Sequence, residues 1–166
     1  SKYKKKYHGY VIVKTQNNEY CKFDAKIRLS GDWKDHIKYD SGVNNIASSM
    51  DINLLEGNIN GIVRFKLFIP ETRNGSSEII TTSILKHLNY LAPYTRFIDV
   101  NVNRTKLKMI FQEKASKEMI ESNNLRESAI IESDESMLWK MRSKSREIRL
   151  NIPVKEVMSH IIFPKT

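Results

Sequence analysis

Residues 19–29 alternate strictly between apolar and polar. Cys21, Phe23, Ala25, Ile27 and Leu29 fall on one side; Lys22, Asp24, Lys26 and Arg28 fall on the other. Period two with a single apolar side is the pattern of a half-buried strand. Such a strand needs paired neighbours and an apolar layer against its inner face, so it directs the chain toward an antiparallel sheet. Neighbours are present. Residues 9–15 form a preceding strand, joined through the polar turn Gln16-Asn17-Asn18. Met50, Ile52 and Leu54 alternate again, and Glu56-Gly57-Asn58 turns the chain into a strand over Gly61 to Ile69. Pro70 ends it, because proline has no ladder donor. The polar stretch from Ser30 to Ser49, with Gly31 and Gly42, reads as a loop.

Helical spacing appears after Pro70. Asn74-Gly75-Ser76-Ser77 offers cap residues, Glu78 lies in the first turn, and Ile80, Ile84, Leu88 and Leu91, joined by Leu85, form the apolar stripe expected to face the core. Pro93 stops the helix. A hairpin follows, with Ile98, Val100 and Val102 on one arm, a turn at Asn103-Arg104-Thr105, and Leu107, Met109 and Phe111 on the other. A short helix is expected over 115–123 around Met119 and Ile120, a brief strand at Ala129-Ile130-Ile131, a helix over 136–143, and another from Pro153 with Val154, Val157, Met158, Ile161 and Ile162. Strands, helix, hairpin, then helices make an α+β chain: an antiparallel sheet with packed helices.

The length of 166 residues suits one domain or one lobe, and 40% hydrophobic content supports a buried core. The start at Ser1, with no initiator Met, suggests a fragment or a processed product. No apolar run reaches the roughly 20 residues that span a bilayer. The formal charge of +9 is uneven. Residues 1–8 carry Lys2, Lys4, Lys5 and Lys6 and no acid. Residues 140–149 carry Lys140, Arg142, Lys144, Arg146 and Arg149 against Glu147. Residues 150–166 add Lys155 and Lys165 against Glu156, so the body over 9–139 is neutral. The chain therefore divides into a basic extension, 1–8, a folded body, 9–139, and a basic amphipathic segment, 140–166. Two basic ends on a neutral body argue against a nucleic-acid face.

Several kinds of chemistry are absent. There is no G-x-x-x-x-G-K-[ST], G-x-G-x-x-G or G-x-S-x-G, and the usual H-R-D and D-F-G kinase signatures are missing. Cys21 is the single cysteine, which excludes an internal disulfide and a cysteine zinc finger. Asp32, Asp35 and His36 cluster within Gly31-Asp32-Trp33-Lys34-Asp35-His36; they are metal-ligand types, but turn capping beneath a packed tryptophan accounts for them as well. Ser83 and His87 stand one helical turn apart, a spacing that alone makes no nucleophile and base.

Three stretches in order resemble one family. The first is Ala25-Lys26-Ile27-Arg28-Leu29-Ser30-Gly31-Asp32-Trp33-Lys34-Asp35-His36. The second is Phe65-Lys66-Leu67-Phe68-Ile69-Pro70-Glu71-Thr72-Arg73-Asn74-Gly75, running to Glu78. The third is Ile110-Phe111-Gln112-Glu113-Lys114-Ala115, followed by Asn123-Asn124-Leu125-Arg126-Glu127 and Ser133-Asp134-Glu135. Over about residues 20–139 they resemble the CotH family of atypical spore-coat and secreted protein kinases, in particular bacterial members with R-L-x-G-D-W-x-D-H and K-L-F-x-P-E-T-R-N-G motifs. The resemblance implies the N-terminal lobe of a divergent kinase-like fold that binds ATP and Mg²⁺ and phosphorylates protein hydroxyls, in a bacterial protein at the cell surface or secreted.

In such a lobe a strand lysine contacts phosphate and a helix glutamate holds it. Lys66 and Glu78 have the right types and order; the plainer reading has Lys66 in solvent beside Arg64 and Glu78 favouring only the helix start. The family resemblance offers Glu113 as a second residue to orient Lys66, or as a structural partner of Lys114 or Arg126. Gly31 and Asp32 would lie near the nucleotide, where a glycine lets backbone approach phosphate. Family kinases continue well past this length, so the chain reads as an N-terminal lobe whose catalytic residues lie elsewhere. Two alternatives remain: a non-catalytic binding module using the sheet and the 31–49 loop, and a nucleic-acid binder using Lys2–Lys6 and Lys140–Arg149.

Overall fold

The computed structural model describes residues 5–31, 37–40, 45–102 and 105–131. The basic segment 140–149, the helices expected over 136–143 and from Pro153, the turn residues Asn103 and Arg104, and Asp32, Asp35 and His36 all lie outside them. The alternating segment is strand β2 (Tyr20–Leu29), flanked by β1 (Tyr7–Lys14) and β5 (Met50–Leu54). Its register places Ala25 beside Gly9 on one side and Leu54 on the other. Between β1 and β2, the amide of Thr15 donates to the Glu19 carbonyl at 2.9 Å, and Asn18 takes the left-handed backbone (φ 62°) that asparagine tolerates.

The stretch expected as a loop contains a separate two-stranded hairpin, β3 (Ile37–Asp40) with β4 (Asn45–Ser48). Its strands are four residues each, too short for a clear alternation against the glycines around them. The triplet Ala129-Ile130-Ile131 forms no strand, and Ile131 is largely exposed. An apolar triplet becomes a strand only where a sheet edge receives it.

β6 (Arg64–Phe68) pairs with β5, and β8 (Thr105–Glu113) lies between β6 and β7 (Thr95–Val102). The sheet order is β1-β2-β5-β6-β8-β7, antiparallel throughout and curled into a half-barrel. β6 and β7 therefore run the same way with β8 between them. A 3-10 turn (Pro70–Arg73) and helix α1 (Ser77–His87) carry the chain across that gap. A short helix α2 (Lys117–Ser122), with Met119 and Ile120 buried, forms where the sequence places it.

The pleat sorts the side chains. Ala25, Ile52, Leu54, Phe65, Leu67, Met109 and Phe111 meet on the inner face, closed by Ile62 and Ile69. Phe65 stacks on Phe111 with ring centroids 4.7 Å apart. Gly57 turns the chain beside Phe23 with φ 69°; a Cβ there would stand 2.9 Å from the Phe23 ring. The other face carries charged and amide side chains plus a second apolar pair, Phe68 beside Ile110, both buried. Arg73 of the 3-10 turn lies over the Phe68 ring at 4.1 Å.

Helix α1 does not bury the stripe its spacing suggests. Ile80, Ile84 and Leu88 are 54%, 54% and 57% exposed, while Thr82 is buried and Glu78, Ile79 and Leu85 are half-buried. The side of α1 turned inward is mixed, Glu78 and Thr82 with Ile79 and Leu85, and Glu78 meets the polar part of the sheet face through Gln112. This orientation predicts a sharp contrast in urea unfolding: Phe65→Ala lowers stability by about 3–5 kcal/mol, whereas Ile84→Ala changes it by no more than about 0.5 kcal/mol.

Candidate functional site: a charged row beneath helix α1

Four side chains stand in one cross-strand row on the outer face. Arg28 is opposite Asp51, Asp51 opposite Lys66, and Lys66 opposite Gln112. Opposed residues of antiparallel strands share a face, so the ladder itself gathers them. Asp51 is only 8% exposed. A carboxylate that deep must be paired, and it is. Arg28 Nη2 and Nε donate to Asp51 Oδ2 at 2.6 and 2.9 Å, and Lys114 Nζ lies 3.6 Å from the same oxygen. The two Arg28 contacts are short charge-assisted hydrogen bonds, stronger than neutral ones, and Lys114 adds a longer ion pair.

Helix α1 brings in the fifth group. Gln112 Nε2 donates to Glu78 Oε1 at 2.7 Å. Thr82 one turn later donates to the Glu78 carbonyl at 2.9 Å within the helix and is itself buried, so this side of α1 is the inward one. Glu78 therefore reaches the cross-strand partner of Lys66. Lys66 is half-buried, with Nζ 5.9 Å from the Phe68 ring centroid.

Glu113 lies elsewhere. It opposes Phe65 and so faces inward, away from the side that Lys66 occupies. Its carboxylate accepts the Tyr94 amide at 3.0 Å, while its own amide donates to the Tyr94 carbonyl at 2.8 Å. The expected orientation of Lys66 by Glu113 fails on the alternation of β8. Its alternative partner Lys114, one residue on, points to the outer face and meets Asp51 instead.

Gly31 lies two residues beyond Leu29, the last paired residue of β2, and has φ 104°, a conformation that favours glycine. The preceding amide of Ser30 donates to the Ser49 carbonyl at 2.8 Å, and Ser49 Oγ accepts the Ile69 amide at 3.1 Å. Gly31 thus stands at the end of the sheet where β2, β5 and β6 are tied together.

The sequence singles out neither Asp51 nor Gln112, and it offers Lys114 only as a partner of Glu113, although Gln112 and Lys114 stand inside the third motif. Their one signal is parity along each strand, and parity becomes a site only once the register between strands is known. Two groups whose titration the fold moves belong to α2. Glu127, hydrogen-bonded to Lys117 at 3.2 Å, and then Glu121 raise the lysine. The Ser116 hydroxyl holds the Glu118 carboxyl below its ordinary value.

Among the described residues no three His, Cys, Asp or Glu side chains converge as a metal group, and no helix is long and apolar enough to cross a membrane. No protein-family model, curated protein or solved structure matches the chain.

The Arg28–Asp51 contact should be energetically coupled. In a double-mutant cycle with Arg28→Ala and Asp51→Ala, chemical denaturation should return an interaction of about 1–3 kcal/mol. Additive losses would mean the pair contributes nothing beyond its separate side chains.

Proposed function

We propose that the chain is the nucleotide-binding N-terminal part of a CotH-like, ATP-dependent protein kinase, with the charged row as its phosphate-binding surface. One observation carries this reading: Glu78, from the helix that follows the Lys66 strand, is hydrogen-bonded to Gln112, the residue directly opposite Lys66. Protein kinases place a phosphate-binding lysine on a strand and hold it with a glutamate from the next helix. The connection from β6 through α1 to β7, with β8 inserted between the strands, supports the same reading.

In this reading Lys66 contacts the nucleotide phosphates and Glu78 limits where its ammonium can go. Gln112 is the positioning residue that anchors Glu78. Arg28 and Lys114 supply further positive charge, balanced by Asp51 until a phosphate arrives. Gly31 offers backbone without a side chain at the end of the same sheet, and Asp32 follows it in the chain. Glu113 keeps a structural role at Tyr94.

The resemblance also implies Mg²⁺, which is commonly held by one or two carboxylates together with phosphate oxygens. Asp51 and Glu78 are the carboxylates nearest Lys66 in the row and its helix, and in this reading the ion would neutralise phosphate charge beside them. Transfer to a protein hydroxyl would draw its catalytic groups from outside this row.

Titration calorimetry with Mg·ATP on the 166-residue chain tests the reading. Binding should be measurable, and Lys66→Ala or Glu78→Ala should weaken it at least about tenfold. Gln112→Ala should weaken it less, by freeing Glu78. Glu113→Gln, if folded, should bind as the parent does. Absence of heat with the unaltered chain would leave the row a structural ion network in a non-catalytic binding module.

A further inference from the structure

We infer that the outer edge of β1 pairs with the β1 edge of a second copy of this chain, joining two sheets across a two-fold axis. β1 runs eight residues at the end of the sheet, and among the described residues no strand pairs with its outer side. Tyr10 and Ile12 are 59% and 55% exposed on it, with Tyr20 alongside on β2. An open edge of this length, bearing apolar side chains, is a template for strand addition.

The pairing pattern shows which groups are open. Thr15 is hydrogen-bonded to Glu19, and antiparallel pairs alternate from there between bonded and non-bonded. Val13, Val11 and Gly9 therefore bond inward to β2. His8, Tyr10, Ile12 and Lys14 direct their amides and carbonyls outward.

One self-pairing register uses all four. Opposing Tyr10 to Ile12 of the second copy also opposes His8 to Lys14, and each pair occurs twice about the axis. This makes about eight backbone hydrogen bonds. Val11 then meets its own copy on the axis, and Gly9 meets Val13, so the inner apolar faces of the two sheets become continuous. Lys6 and Lys5 come to lie beside the uncharged Gln16 and Asn17 of the other copy's turn.

Neighbouring registers are worse. Shifting so that Tyr10 meets Tyr10 sets Lys14 against Lys6, and like charges directly opposite are destabilising. Shifting the other way so that Ile12 meets Ile12 leaves His8 without a bonded partner. The edge is thus self-complementary in its backbone groups, as an isologous two-fold contact requires, and this register sets no lysine directly against another.

Sedimentation equilibrium of the full chain should give twice the monomer mass, falling to the monomer on dilution. The double variant Tyr10→Lys/Ile12→Lys places lysine against lysine at both central pairs. It should dissociate at least about tenfold more readily with an unchanged circular dichroism spectrum. Tyr10→Glu/Ile12→Glu should also be monomeric, and mixing the two variants should restore a dimer. In a Cys21→Ser background, Val11→Cys should oxidise to a covalent dimer, because the register brings those Cα atoms to about 4.5 Å. A chain that stays monomeric at high micromolar concentration would overturn the inference. So would a dimer indifferent to the lysine pair.

Discussion

The backbone ladder of β6, held between β5 and β8, is the constraint on which the rest of the molecule depends. Strand pairing has a strict two-residue period, so a slip of one residue would exchange the two faces. Phe65 and Leu67 would leave the inner core, and Lys66 would be forced into it. The cost of burying that ammonium among Ile52, Met109 and Phe111 is what locks the register. Once it is locked, Arg28, Asp51, Lys66 and Gln112 line up across four strands without any further device.

That alignment gives the outer face a double character. Phe68 and Ile110 supply an apolar seat at one end, and the charged row begins beside it. The 3-10 turn and α1 cover this mixed surface, and they do so with matching chemistry: Arg73 over the Phe68 ring, Glu78 on Gln112. A helix whose inward side mixes Glu78 and Thr82 with Ile79 and Leu85 leaves Ile80, Ile84 and Leu88 in solvent. The same choice that weakens the packing of α1 puts a carboxylate within the lysine's row.

Much of the sheet was legible before any coordinates. The alternation in β2, the turn at Gln16-Asn17-Asn18, the Pro70 stop and the hairpin arms around Val100 and Met109 all appear where their patterns place them. These signals are local, each needing only a strand's own period or a single residue's φ. The misreadings have one common cause. The stripe on α1, the triplet at Ala129-Ile130-Ile131 and the 30–49 loop were judged by local apolar content, while their states depend on what lies opposite them.

By itself, the sequence determined the long strands of the sheet, their inward apolar side chains and the presence of a lysine strand followed by a glutamate helix. Period and residue chemistry settle these things one segment at a time. Only the tertiary structure decided that Asp51 is the buried counter-charge of Arg28 and Lys114, that Gln112 joins Glu78 to the Lys66 row, and that Glu113 faces the other way. Each of these rests on register between strands distant in the chain, and register is set by the summed burial and hydrogen bonding of the whole sheet, a quantity no single segment carries.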